Sequence, residues 1–227
     1  MTTTKSEQNR QPVEELAKNL NQAGIPPDFG PDNSRLLIKV WRSLAMGNPV
    51  TKEQIDQISV ELGISRDPAH DFLRQVTERD ANDNVIGLMG LSLDEDWPHR
   101  FNVDGVPLRT WCAWDTLFLP AMVDKRVVVE SESPVSGETV SLVVSPERVE
   151  SCAPSGAVVS IATIDPALHD VSSVEAIWSN FCHQVYFFPS RTEAEKWAEG
   201  KNNIAILSVH DAYELGKQAF SKLLTYA

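Results

Sequence analysis

Thr51-Lys52-Glu53-Gln54-Ile55-Asp56-Gln57-Ile58-Ser59-Val60-Glu61-Leu62-Gly63 is the stretch on which the fold turns, because it spells out both ends of a helix. Thr51 followed three residues later by Gln54 is a capping box, in which side chain and backbone satisfy each other's unpaired groups. Ile55, Ile58 and Leu62 recur at helical spacing, and Gly63 supplies the left-handed stop. Downstream, Ser65 or Asp67 starts another helix carrying Phe72, Leu73 and Val76. Asp83-Asn84 then turns the chain into residues 85–93, whose alternation predicts a strand. Upstream, residues 34–46 place Leu36, Leu37, Val40, Trp41 and Leu44 on one face, and Gly47-Asn48-Pro49 ends that helix. Three helices followed by a β-wing outline a winged-helix-like module over residues 35–95.

The flanks differ from this module. Residues 1–34 read as a polar lead-in, with one short amphipathic stretch (Val13, Leu16, Ala17, Leu20) before the breakers Pro26-Pro27 and Gly30-Pro31. Residues 96–227 turn β-rich. Short β-branched runs at 99–103, 127–130, 139–144, 157–163 and 204–207 predict strands, as does the aromatic run 181–188. Residues 110–122 are strongly apolar and predict a buried helix. Ser190 and Ser208 open two further helices. Strands mixed with helices, without regular alternation, indicate an α+β fold: a mixed or antiparallel β core flanked by helices. Residues 96–227 are the expected catalytic domain.

Charge narrows the partners. The chain carries 20 Lys+Arg against 32 Asp+Glu, a net charge of −12. Residues 35–80 hold seven basic and seven acidic side chains, so the helical module is neutral rather than basic. That argues against nucleic acid as a partner. No run approaches the roughly 18 apolar residues of a membrane span, and Met1 to Arg10 shows no secretory pattern. A cytoplasmic location is expected, with no membrane partner. Three cysteines, Cys112, Cys152 and Cys182, are too few and too scattered for a disulfide framework or a structural zinc site.

The chemistry concentrates in Thr110-Trp111-Cys112-Ala113-Trp114-Asp115-Thr116. In a helix, Cys112 and Asp115 at i and i+3 emerge on one face within roughly 5–6 Å at Cβ. A carboxylate there can take a proton from a thiol and return it. Burial among aromatic residues raises a carboxyl's pKa, which suits a group that delivers protons near neutrality. The plainer reading is that Cys112 is a small buried hydrophobe. Asp115 fits that reading less well, since no basic residue lies between Arg109 and Asp124 to pair with it locally. If residues 181–188 form a strand, Cys182 and His183 point to opposite faces, so His183 cannot easily activate Cys182. Cys152 reads as inert packing. On the residues alone, two rivals stay open: a winged-helix regulator sensing metal through Cys112 and Cys182, and a cysteine-nucleophile enzyme with His99 or His183 as base.

Phe101-Asn-Val-Asp-Gly105, Trp111-Cys-Ala-Trp-Asp-Thr-Leu-Phe-Leu-Pro-Ala121, Ser136-Gly137 with Val140-Ser-Leu-Val-Val-Ser-Pro146, Phe181-Cys182 with Val185-Tyr-Phe-Phe188, Trp197, and Ser208-Val-His-Asp-Ala-Tyr-Glu-Leu-Gly216 stand in this order along the chain. Together they resemble the bacterial organomercurial (alkylmercury) lyases. The likeness runs in order from about Leu36 to Leu224. It implies a catalytic set of Cys112, Asp115 and Cys182, the same three meeting the mercury of substrate and product, with Trp111 and Phe181 lining the pocket. It also implies protonolysis of carbon–mercury bonds, giving a hydrocarbon and Hg(II), in mercury detoxification. No cofactor is implied; external thiols serve turnover. The implied partners are organomercurial substrates, with mercuric reductase or low-molecular-weight thiols accepting Hg(II), and a monomer or homodimer is expected. This chain departs from the family pattern at Ser133, where many members carry cysteine, at Trp114, where leucine is common, and in a longer lead-in than some.

Overall fold

The computed structural model describes residues 5–163 and 173–227, with the backbone alone at 5–12, 174 and 175. Residues 1–4 of the expected lead-in lie outside the described residues. The remainder of the lead-in opens with a helix: α1 spans Lys5–Gln22 and buries Val13, Leu16, Ala17 and Leu20, packing along the C-terminal helix α8 (Val209–Ala219). The amphipathic stretch is therefore part of a longer helix whose apolar stripe has a partner.

Three helices come next: α2 (Gly30–Leu44), α3 (Lys52–Leu62) and α4 (Arg66–Val76). The capping box forms, with Thr51 accepting from the Gln54 N–H and Gln54 accepting from the Thr51 N–H. Gly63 closes α3 at φ 69°. On α2, Leu36, Leu37, Val40, Trp41 and Leu44 are buried, and the Trp41 indole donates to the Leu88 carbonyl at 2.8 Å. That bond fastens the helices to the sheet, because a buried indole N–H left unpaired is costly.

The strand expected over 85–93 is two strands. β1 (Thr77–Arg79) pairs antiparallel with β2 (Val85–Leu88), which pairs antiparallel with β3 (Leu91–Ser92). Met89 and Gly90, at φ 36° and 99°, reverse the chain between them. Alternation alone does not reveal a reversal built on positive φ.

β3 then pairs with β5 (Val106–Thr110), which pairs with β4 (His99–Val103). β4 joins β6 (Val127–Glu132), followed by β7 (Thr139–Val144) and β8 (Val149–Ala153). The result is one antiparallel sheet of eight strands, ordered β1-β2-β3-β5-β4-β6-β7-β8. Alternation shows plainly in β6: Val127, Val129 and Ser131 point inward, while Val128, Glu130 and Glu132 face out. Cys152 lies half-buried on β8.

A second sheet of three antiparallel strands, β10 (Phe187–Phe188), β9 (Val158–Ala162) and β11 (Ile204–Ser208), covers part of the inner face. The helices α5 (Asp115–Val123), α6 (Val174–Asn180), α7 (Arg191–Ala198), α8 and α9 (Ser221–Leu224) complete the chain. One hydrophobic core runs from Val13 through Leu37, Leu119 and Val129 to Leu223, so helices and sheets bury a common interior. The fold is α+β with antiparallel sheets, as the sequence indicates. No helix among the described residues is long and apolar enough to cross a membrane.

Candidate active site

The apolar run 110–122 is not one helix. Thr110 ends β5, residues 111–114 form a tight connection, and α5 begins at Asp115. Cys112 therefore precedes the helix instead of sharing a face with Asp115. The two still meet, by a different route: the Asp115 carboxylate turns back and accepts the Cys112 backbone N–H at 2.8 Å. That bond folds the connection back on the start of α5 and satisfies a buried backbone N–H that lies ahead of the helix. Thr110 and Thr116 brace the connection, donating to the carbonyls of Cys112 (3.0 Å) and Ala113 (2.7 Å).

The strand expected over 181–188 is also replaced. α6 ends at Asn180, Cys182–Gln184 make a single 3-10 turn, and only Phe187–Phe188 are extended. The turn buries Cys182 and leaves His183 exposed, its ring against Trp178. The two segments, 70 residues apart, are joined by a backbone bond from the Ala113 N–H to the Val185 carbonyl at 3.2 Å.

The three expected site residues thus come together. The Cys112 thiol interacts electrostatically with both the Cys182 thiol and the Asp115 carboxylate, whose one direct bond to Cys112 is that to its backbone N–H. Burial pushes the Asp115 carboxyl up to about 7, against its interactions with Cys112. Burial likewise lifts the Cys112 thiol well above its ordinary range, helped by Cys182 and the neighbouring carboxylate. For Cys182, the neighbouring Cys112 thiol favours its thiolate, but burial and Asp115 outweigh that and leave the thiol raised. Cys182 and Asp115 face a pocket whose other walls are almost wholly apolar, including Met89, Trp111, Trp114, Phe118, Phe181 and Phe220; Cys112 stands behind them, fully buried. Among the described residues no three His, Cys, Asp or Glu side chains form a ready cation cage.

The sequence model of the family described as alkylmercury lyase matches residues 92–221, more than half of the chain. An alkylmercury lyase of Bacillus cereus is 36% identical over 207 residues, covering 90% of this chain and 89% of that protein. One from Pseudomonas putida is 36% identical over 211 residues, covering 92% of each. One from Streptomyces lividans is 38% identical over 197 residues, covering 82% of this chain and 84% of its own. The chain belongs to the alkylmercury lyase family. Among solved structures, the mercury-bound form of MerB2 shares the fold, with a TM-score of 0.70, 24% identity and coverage of 92% of this chain and 98% of that one.

Several pocket residues of this chain carry no signal in the sequence alone. Ile25, Pro26 and Pro27 reach the pocket from the link after α1, Ile177 from α6 and Phe220 from the chain's end. Gly90 is the sharpest case. A side chain there would begin 2.6 Å from the Asp115 carboxyl carbon, and its φ of 99° suits glycine alone. Its carbonyl also accepts the Trp111 N–H at 3.0 Å. The signal available in the sequence was Met89-Gly90 itself, which reads as a turn. The Trp114 indole donates to the Ala212 carbonyl at 2.9 Å, and Gly216 lets α8 press against Phe118. Trp114 thereby fills the space between α5 and α8 beside the pocket.

Proposed function

We infer that this chain cleaves carbon–mercury bonds by protonolysis, releasing a hydrocarbon and Hg(II), as an organomercurial lyase of mercury resistance. The observation that supports the residue assignment is a buried carboxyl poised near neutrality, bonded to the backbone of one thiol residue and sharing an apolar pocket with the other. Cys112, Cys182 and Asp115 carry the reaction on this reading, with Trp111 and Phe181 as pocket walls.

Mercury is soft and thiolates are soft ligands, so R–Hg⁺ carried on an external thiolate exchanges onto the protein. Cys182 faces the pocket while Cys112 is fully buried behind it, so Cys182 takes the metal first, its proton leaving with the external thiol. Cys112 then passes its proton to Asp115 and closes on mercury. Two sulfur donors build carbanion character on the attached carbon. Asp115, now protonated, delivers that proton, breaking the carbon–mercury bond. R–H leaves and Hg(II) stays on both sulfurs. One external thiolate complex and two protein thiols thus give one hydrocarbon, one free thiol and one protein-bound Hg(II).

No organic cofactor or resident metal enters this scheme. Hg(II) departs by exchange onto low-molecular-weight thiols or a dithiol protein such as mercuric reductase. We read α2–α4 with the β1–β2 hairpin as a winged-helix-like module without a nucleic-acid role, since its charges balance. Residues 96–227 are read as the catalytic portion, the chain as cytoplasmic, acting as monomer or homodimer. The test is hydrocarbon release: with excess thiol, methyl- and phenylmercury yield methane and benzene from the purified protein. Protein that binds organomercury yet releases no hydrocarbon would sink the assignment.

A further inference from the structure

Among the described residues, besides Asp115, the Glu78 carboxyl is half-buried close to the pocket. Glu78 lies on β1, and no ion pair reaches it among the described residues. Three neutral donors converge on it instead. The Trp111 indole N–H bonds Oε1, while the Ser92 hydroxyl (2.7 Å) and the Trp97 indole N–H (3.3 Å) bond Oε2. Its strand partner Gly87 leaves room for it, since a Cβ there would sit 2.5 Å from Oε2. Burying an acid with no cation beside it is costly, and an apolar residue would serve packing better. The arrangement therefore calls for a role beyond packing.

Trp111 supplies one. It adjoins Cys112 in sequence, and its ring forms a pocket wall together with Asp115 and Cys182. Its backbone N–H is held by Gly90 and its indole N–H by Glu78, so both ends of the side chain are fixed. Trp97, bonded to the same carboxyl, packs on Trp111 at 5.8 Å and on Trp178 at 5.5 Å. Trp178 in turn meets His183, the neighbour of Cys182, at 4.0 Å. A single carboxyl anchors an aromatic row running from one thiol segment to the other.

We propose that Glu78 is a positioning residue for the cleavage, fixing the Trp111 indole as the wall that holds bulky organic groups over Asp115. The proposal rests on the lyase reading above. The carbon of a methyl group is placed by the mercury–sulfur bonds themselves. A phenyl ring extends past the metal and leans on the wall, so a loosened indole misplaces the carbon that Asp115 must protonate. The loss falls on kcat more than on KM, and on phenylmercury more than on methylmercury.

The test combines kinetics with a signal read on the resting protein. With ¹⁵N-labelled indoles the six tryptophans give six N–H resonances, and Trp111→Phe identifies one of them by its loss. Glu78→Gln has nearly the same shape but turns an NH₂ group toward one of the indoles. It is expected to move the Trp111 resonance, and to lower kcat for phenylmercury about ten-fold and for methylmercury less than about three-fold. Glu78→Gln with Trp111→Phe should be no slower than Trp111→Phe alone, because the two act as one unit. An unmoved Trp111 resonance in Glu78→Gln, or additive losses in the double variant, overturns the proposal. So does a Trp111→Phe protein, which leaves Glu78 its other two donors, that turns over phenylmercury like the wild type. Absence of hydrocarbon from the wild-type protein removes the lyase reading instead, and is told apart because the resonances need no turnover.

Discussion

The two thiol segments are built differently. Cys112 sits in a braced connection between β5 and α5, fully buried, with its backbone N–H held by Asp115. Cys182 sits in a single 3-10 turn after a short helix and borders the pocket. The same residue type is thus placed once behind the pocket beside a carboxylate and once on the pocket wall. On the proposed reading, that difference gives two equal ligands unequal roles: one gives up its proton to Asp115, the other makes first contact with mercury.

The comparison breaks most visibly if either thiol proves dispensable. Cys112→Ser and Cys182→Ser should each lower hydrocarbon release by roughly a thousand-fold or more, measured by headspace gas chromatography, and combining them should cost little extra. Asp115→Asn should lower release by about 10²–10⁴-fold while the chain still takes up one Hg(II) on its two sulfurs. Measured Hg(II) stoichiometry separates these cases.

Acid should act through Asp115. Its carboxylate must be ionised to accept the thiol proton, so kcat/KM should fall about ten-fold per pH unit below about 7. Stability responds with the opposite sign. The folded chain binds this proton more tightly than the unfolded chain, whose carboxyl titrates near 3.8, so the cost of ionising it grows between about pH 4 and 7 and then levels. Asp115→Asn should therefore raise stability on the order of 2–4 kcal/mol at pH 8 and by almost nothing at pH 4, read by urea melts.

A finer test concerns order of reaction. In a Cys152→Ala background, iodoacetamide should modify Cys182 about ten-fold faster than Cys112, followed by peptide mass spectrometry. Equal rates would remove the asymmetry between the two segments. The smallest effect belongs to Cys152→Ala itself, which should leave turnover within about two-fold, because its half-buried thiol on β8 donates to the Pro154 carbonyl just past the strand, away from the pocket.

Much of the fold was legible because its signals are local. The capping box at Thr51, the stop at Gly63 and the β-branched run over 139–144 each depend on a few adjacent residues, and each appears where expected. The site was legible in composition but not in conformation. Cys112 and Asp115 meet through a backbone N–H ahead of a helix rather than on a helix face, a choice made by Thr110, Thr116 and the neighbouring Gly90. The aromatic run 181–188 folds mostly as a turn, since β9 takes only Phe187 and Phe188 as ladder partners. What stayed hidden was long-range: Ile25 to Pro27, Phe220 and Glu78 reach the pocket region only through tertiary pairing, which spacing along the chain does not encode.

The continuous eight-stranded sheet sets a lower bound on the smallest working piece of this chain. The family-matched stretch opens at residue 92, yet β1, β2 and the first of the two residues of β3 lie before it. A chain trimmed to that stretch would bare the edge of β5, strip the apolar cover that α2 lays over the inner face, and lose Gly90 and Glu78 together. An uncovered edge strand beside uncovered apolar surface is a template for self-association, so such a fragment should precipitate rather than merely work slowly.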